Sequence, residues 1–218
     1  MTCPATDLSA CLNAPLQAIV AAARAPAAVL AAVTSEQTAV ACHGDPAPDA
    51  HTVFELGSIT KTFTALLLAE MVTRGEVAYD DPITAYLPRE ARPRRATDAP
   101  ITLAHLATHT AGLPRIPANL YPKALPAWWT NPYAHYHLDD LYRATARIRA
   151  RHHPGARVSY SNFGVGLLGQ LLANAAAADY RDLVLDRVCH PLGMTDTLTR
   201  SGPACAIGYR RGQPMRLP

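Results

Sequence analysis

Lysine is nearly absent from this sequence. Of its 20 Lys and Arg residues only Lys61 and Lys123 are lysines, and arginine carries the rest of the positive charge. A guanidinium stays protonated, with a pKa above roughly 12, so arginine is excluded as a proton acceptor. Aromatic residues are also scarce, at 6%, and charged residues make up only 17% of the chain with a net charge of +3. That modest excess gives no reason to expect a nucleic-acid partner. No run reaches the roughly 18 apolar residues that a membrane span requires; stretches such as 25–33 are short and alanine-rich. The five cysteines, Cys3, Cys11, Cys42, Cys189 and Cys205, form no CxxC pair. An odd, scattered set reads as reduced thiols rather than a disulfide framework. The N-terminus lacks the basic segment and apolar core of a signal peptide, so the chain as given reads as cytoplasmic, or as secreted if its true start lies upstream.

The apolar fraction of 49% is enough to bury a core, and 218 residues suit one large domain or two small ones. Leu8, Cys11, Leu12, Leu16, Ile19, Val20 and Ala23 recur at helical spacing, which predicts an amphipathic helix over about 7–24, with Pro15 marking a late start or a kink. Residues 27–34 and 38–42 read as two strands joined at Ser35-Glu36-Gln37. Gly57-Ser58 opens a strong helix to about Thr73, closed by Arg74-Gly75. A short helix follows Asp80-Asp81-Pro82, and Thr102 is placed to cap another. Helices are predicted over about 138–151, 162–178 and 180–188.

The rare lysine has a telling neighbour. Lys61 stands three residues after Ser58, in Ser58-Ile59-Thr60-Lys61. At that helical spacing the two side chains lie on nearly one face, about 5–6 Å apart at Cβ. A lysine amine becomes a base when desolvation lowers its pKa, and it can then take the proton of a serine nucleophile. The helix N-terminus adds N–H groups and a dipole that favour negative charge there. Spacing alone equally suits a helix that starts with serine and carries a surface lysine.

A second element is Tyr160-Ser161-Asn162, after Pro154-Gly155 and before an apolar helix. A Tyr and an Asn two apart on a tight turn can point into one cleft. A neighbouring ammonium lowers a phenol from its usual pKa near 10, which suits Tyr160 to proton transfer. Asn162 offers donor and acceptor to a substrate amide or to Lys61. Alternatively, Asn162 is a helix cap and Tyr160 fills the core.

Together Ser58-Ile59-Thr60-Lys61 and Tyr160-Ser161-Asn162 resemble the first two motifs of class C serine β-lactamases and the related DD-carboxypeptidases, D-aminopeptidases and esterases. The resemblance extends to 54–65, to Leu103 through Pro114, and to His190-Pro191-Leu192-Gly193-Met194. It implies an acyl-enzyme on Ser58, acid/base work shared by Lys61 and Tyr160, and Asn162 holding the substrate. It implies an α+β, β-lactamase/transpeptidase-like fold: a mixed sheet flanked by helices plus a mostly helical region, with Ser58 at their junction. On this reading residues 1–218 are one domain, with a helix and two strands in 1–57 and the helical region in 58–218. The substrate class implied is a small ester, amide or β-lactam, with no cofactor.

The family's third motif, Lys-Thr-Gly or His-x-Gly after Asn162, has no counterpart here; His153-Pro154-Gly155 precedes Tyr160. The expectation is therefore a domain truncated at the C-terminus, lacking the later sheet strands and one oxyanion donor. A second expectation stands beside the hydrolase: a catalytically incompetent remnant or binding module, or a sheet completed by an oligomer or partner chain.

Other features point less sharply. His105 and His109 are four apart, which can place two imidazoles on one helix face, but no Glu follows His105 and no third ligand is marked, so no metal is expected. Arg143, Arg147 and Arg151, like the Arg89–Arg95 loop, are expected to be solvated faces. Trp128-Trp129 suits a cleft lining and a self-packed loop equally.

Overall fold

In the computed structural model the described residues are 8–23, 26–44, 47–49, 51–94, 99–125, 131–197, 205–210 and 213–215. The Trp128-Trp129 pair, Cys3 and Arg95 lie outside them. The chain divides into two compact units, residues 1–55 with 200–218, and residues 56–199.

In the first unit, helix α1 (Leu8–Ala23) lies against the antiparallel hairpin β1 (Ala27–Val33) and β2 (Thr38–Gly44). Leu12 and Leu16, four apart on the helix, meet Ala39 and Ala41, which alternate inward along β2. The hairpin turn is fixed by Thr34, whose Oγ1 accepts from the N–H of Glu36 at 3.2 Å and of Gln37 at 2.9 Å. The helix starts at Leu8 and runs through Pro15, which is exposed and costs the ladder one N–H. A second antiparallel pair, β3 (Gly208–Arg210) and β4 (Gln213–Met215), belongs to this unit, so strand follows helix within the 58–218 stretch. Cys42 and Cys189 are free thiols, but Cys11 is disulfide-bonded, which corrects the expectation of an all-reduced set.

The second unit is built on helices α2 (Thr60–Thr73) and α6 (Asn162–Ala176). Leu67, Leu68 and Met71 of α2 and Leu167, Leu168, Leu171 and Leu172 of α6 are sealed in one core. Burying each such side chain contributes about 1.5–3 kcal/mol. The Thr64 and Tyr180 hydroxyls, hydrogen-bonded at 2.7 Å, tie α2 to α7 (Tyr180–Val184). Helix α3 (Leu103–Ala107) starts in a capping box of Thr102 and His105. A one-turn helix, α4 (Tyr121–Ala124), precedes α5 (Leu138–Ala146). The last predicted helix does not run straight to Val188: it widens into a π-turn over Leu185–Cys189.

Helix α5 stops five residues before Arg151, contrary to expectation. Arg147 leaves helical geometry, Ile148 turns into the core, and the Arg151 N–H is taken by the Gly112 carbonyl at 2.8 Å. Arg151 therefore does not share a helix face with Arg143 and Arg147. Gly112 has φ +71°, and a Cβ there would meet the His152 carbonyl oxygen at 2.6 Å.

Asp140 anchors the start of α5. Its side chain is buried and accepts from Lys123 Nζ at 2.7 Å and from the His137 N–H at 3.1 Å. Lys123 foremost, then the His137 bond, holds its carboxyl below the ordinary value. Such a group adds stability above the unfolded-state pKa, near 3.9, that is lost as pH falls through the lower folded-state pKa. Asp140→Asn is expected to lower stability by about 2 kcal/mol at pH 7. Urea unfolding of both proteins should show the gap closing once the pH drops below the ordinary carboxyl range.

Candidate active site

Ser58 sits in a 3-10 turn, Gly57–Ile59, that runs directly into α2. Gly57 takes φ +53°, a left-handed entry that glycine adopts without penalty. One turn on, Lys61 Nζ donates to Ser58 Oγ at 3.2 Å. From the turn before α6, Tyr160 Oη donates to the same Oγ at 2.7 Å. Three residues picked out in the sequence thus converge on one oxygen, across 102 positions of chain.

The Tyr160 turn is held by the segment after α3. The Ser159 N–H bonds the His109 carbonyl at 2.8 Å, and the Ser161 N–H bonds His109 Nδ1 at 3.2 Å. Ser161 Oγ donates to the Pro114 carbonyl at 2.7 Å and accepts from the Gly164 N–H, capping α6. The Asn162 N–H bonds the Arg115 carbonyl at 2.8 Å. Ser161, rather than Asn162, is thus the cap of α6.

The electrostatics follow from what surrounds the phenol. Lys61 Nζ lies 5.0 Å and Arg115 Cζ 5.2 Å from the Tyr160 ring centroid. The His109 ring lies 4.6 Å away, tilted by 42°. The Lys61 ammonium, first, and the Ser58 hydrogen bond hold the Tyr160 phenol below its usual pKa near 10, with Arg115 assisting.

His109 has φ +60°, a conformation few non-glycine residues adopt. Burial, then Lys61, pushes its imidazole below the ordinary histidine value. Nδ1 accepts from Ser161, so the neutral form carries its proton on Nε2. A depressed histidine pKa withdraws stability as pH falls below the unfolded value near 6.5, because the unfolded chain then binds the extra proton. His105, also depressed by burial, acts in the same direction. Replacing His109 by Asn keeps an acceptor but no titration, so thermal unfolding between pH 7 and 5 should show a flatter decline in Tm for His109→Asn.

Asn162 lines the cavity with Ser58 but bonds neither Ser58 nor Lys61. Its Nδ2 donates to Tyr133 Oη at 3.4 Å, while its Oδ1 is buried without a hydrogen-bond partner. The cavity over Ser58 holds about 480 Å³ and is walled by Lys61, Thr64, Tyr133, Asn162, Gly166 and Gln170, among others. A second cavity of about 310 Å³ shares Tyr133, Asn162, Gly166 and Gln170 and adds Tyr136 and His137 to the apolar Leu138, Leu141 and Phe163. Among the described residues neither is lined by a carboxylate.

His105 and His109 do not share a helix face. α3 ends at Ala107, His105 Nδ1 accepts the Thr102 N–H in the capping box, and His109 turns to Tyr160. Among the described residues no group of three His, Cys, Asp or Glu could hold a metal ion. Among them, too, no helix is long and apolar enough to cross a membrane.

The Beta-lactamase family model matches residues 12–216, a span that includes all four expected site residues. The chain belongs to the β-lactamase family. It is 34% identical over 157 residues to the D-alanyl-D-alanine-carboxypeptidase/endopeptidase AmpH of Escherichia coli K12, covering 72% of this chain and 39% of that protein. A β-lactamase of Escherichia coli K12 is 33% identical, covering 76% of this chain and 41% of the relative. For the esterase EstB of Burkholderia gladioli the identity is 33%, covering 75% and 43%. The chain thus spans about 40% of the length of these relatives. Among solved structures, a β-lactamase/D-alanine carboxypeptidase from Yersinia pestis complexed with citrate matches with a TM-score of 0.73 and 28% identity, covering 87% of this chain and 54% of that one. A class C β-lactamase matches over 100% of this chain and 60% of its own, with a TM-score of 0.79 at 20% identity. The fold is therefore α+β and β-lactamase/transpeptidase-like.

This β-lactamase-family site contains residues that sequence spacing did not single out as functional. His109 drew notice as half of a histidine pair, and Tyr133 as one aromatic of a loop. Arg115 gave no signal, because its role lies in a backbone carbonyl and a ring contact.

Proposed function

We propose that the chain is a serine hydrolase that forms an acyl-enzyme on Ser58, acting on a small ester, amide or β-lactam. The observation that carries this reading is the double hydrogen bond to Ser58 Oγ, from an amine at 3.2 Å and a phenol at 2.7 Å. The Oγ proton passes to Lys61 or to the Tyr160 phenolate as Oγ attacks the carbonyl carbon. The carbonyl π pair moves onto oxygen, and the Ser58 backbone N–H stabilises that charge. Collapse of the adduct breaks the bond to the leaving group, which takes a proton from Tyr160 or Lys61. Water then attacks the ester on Ser58, with the same groups acting in reverse, and frees Oγ. Asn162 holds the substrate from the wall shared by the two cavities.

The relatives carry the names carboxypeptidase/endopeptidase, β-lactamase and esterase, which spans the ester-to-amide range proposed. A cavity of about 480 Å³ suits a small substrate. The test is hydrolysis of an activated short-chain ester by the folded chain. Turnover lost in Ser58→Ala supports the reading; release no faster than in Ser58→Ala leaves the chain an incompetent binding module.

A further inference from the structure

We infer that the cavity between α5 and residues 114–119 binds a small organic anion with an apolar body, a carboxylate or a phosphate monoester, apart from the Ser58 cleft. The cavity holds about 300 Å³, at the lower end for small-molecule sites. Arg143, Arg147 and Arg149 line it together with Pro114, Pro117, Asn119 and Phe163. Among the described residues no carboxylate lines it.

Asp140 is bonded by Lys123 at 2.7 Å and reaches Arg143 only at 3.8 Å. Arg143 Nε donates to the Asp139 backbone carbonyl at 3.2 Å, which neutralises nothing. Among the described residues Arg147 and Arg149 enter no ion pair. The Arg94 N–H bonds the Ala146 carbonyl at 3.1 Å, which brings the segment with exposed Arg89, Arg92 and Arg94 beside the end of α5. Residues 89–157 contain eleven Lys/Arg against four Asp/Glu, so most of the chain's positive excess is concentrated there.

A solvated arginine face is the ordinary state of such a helix. It has no need of an apolar hollow beneath the guanidinium groups. Guanidinium groups pair with carboxylate or phosphate in a planar fork. The proline and phenylalanine surface then takes the body of the same ligand. The site also backs the catalytic turn, since Pro114 accepts from Ser161 Oγ and Phe163 follows Asn162.

Isothermal titration of the full chain with benzoate and with phenyl phosphate tests this. Acetate and inorganic phosphate serve as anions without a body, and benzyl alcohol as a body without charge. One site is expected, with an aromatic anion bound at least about tenfold tighter than any control. Arg147→Gln with Arg149→Gln should weaken it about tenfold or more, with unchanged circular dichroism. The paired Lys substitutions should restore part of the affinity, and Lys61→Met should leave it intact. Binding that survives the Gln pair, binding that is lost in Lys61→Met, or no binding in the millimolar range would overturn the inference.

Discussion

Replacing Lys61 by methionine is expected to slow acylation of Ser58 by about a hundred- to ten-thousandfold, the range that a positioned acid/base group supplies. Methionine keeps the length and the helix propensity of the side chain, so α2 and its buried Leu67, Leu68 and Met71 should be undisturbed. What is lost is the amine 3.2 Å from Oγ. Lys61→Arg separates charge from proton transfer: it keeps a cation beside Tyr160 but supplies no base, and it should fail nearly as badly. Lys61 is also the first cause of the lowered Tyr160 pKa. In Lys61→Met the phenol should therefore titrate nearer 10, and any residual rate should rise over a more alkaline range. Single-turnover acylation by an activated ester between pH 6 and 10 measures both effects.

Tyr160→Phe should produce an effect that depends on the leaving group. The ring remains to meet His109 and Arg115, so the turn should keep its shape. What disappears is the 2.7 Å bond to Ser58 Oγ and, with the hydroxyl, its interaction with Lys61. An activated phenolate leaves without a proton, whereas an amine cannot. The loss should therefore be small, about tenfold or less, on an activated ester, and about a hundred- to a thousandfold on an amide or β-lactam. Parallel kcat/KM measurements on one ester and one amide decide it. Equal losses on both would remove Tyr160 from the leaving-group step.

Much of this was legible in the chain because it rests on local pattern. Leu12 and Leu16 at helical spacing, Ala39 and Ala41 alternating on β2, and the Thr34 turn each follow from neighbours a few residues apart. Ser58 with Lys61 was legible for the same reason, since one helical turn sets their distance. Where partners are remote, pattern failed. α5 ends early, and the Arg151 N–H goes instead to the carbonyl of Gly112, which precedes α5 in the chain. His109 resembled a metal ligand by spacing, but a positive φ and a bond to Ser161 turn it towards Tyr160. The arginines on either side of Pro100 read as separate solvated stretches, and the tertiary bond from Arg94 to Ala146 brings them together.

Intact-mass spectrometry of the chain after exposure to an activated short-chain ester, followed by peptide mapping, addresses the nucleophile directly. One acyl group should appear, on the peptide carrying Ser58, absent in Ser58→Ala and far slower to form in Lys61→Met. A folded chain that gains no adduct, or gains it on another residue, would contradict an acyl-enzyme at Ser58.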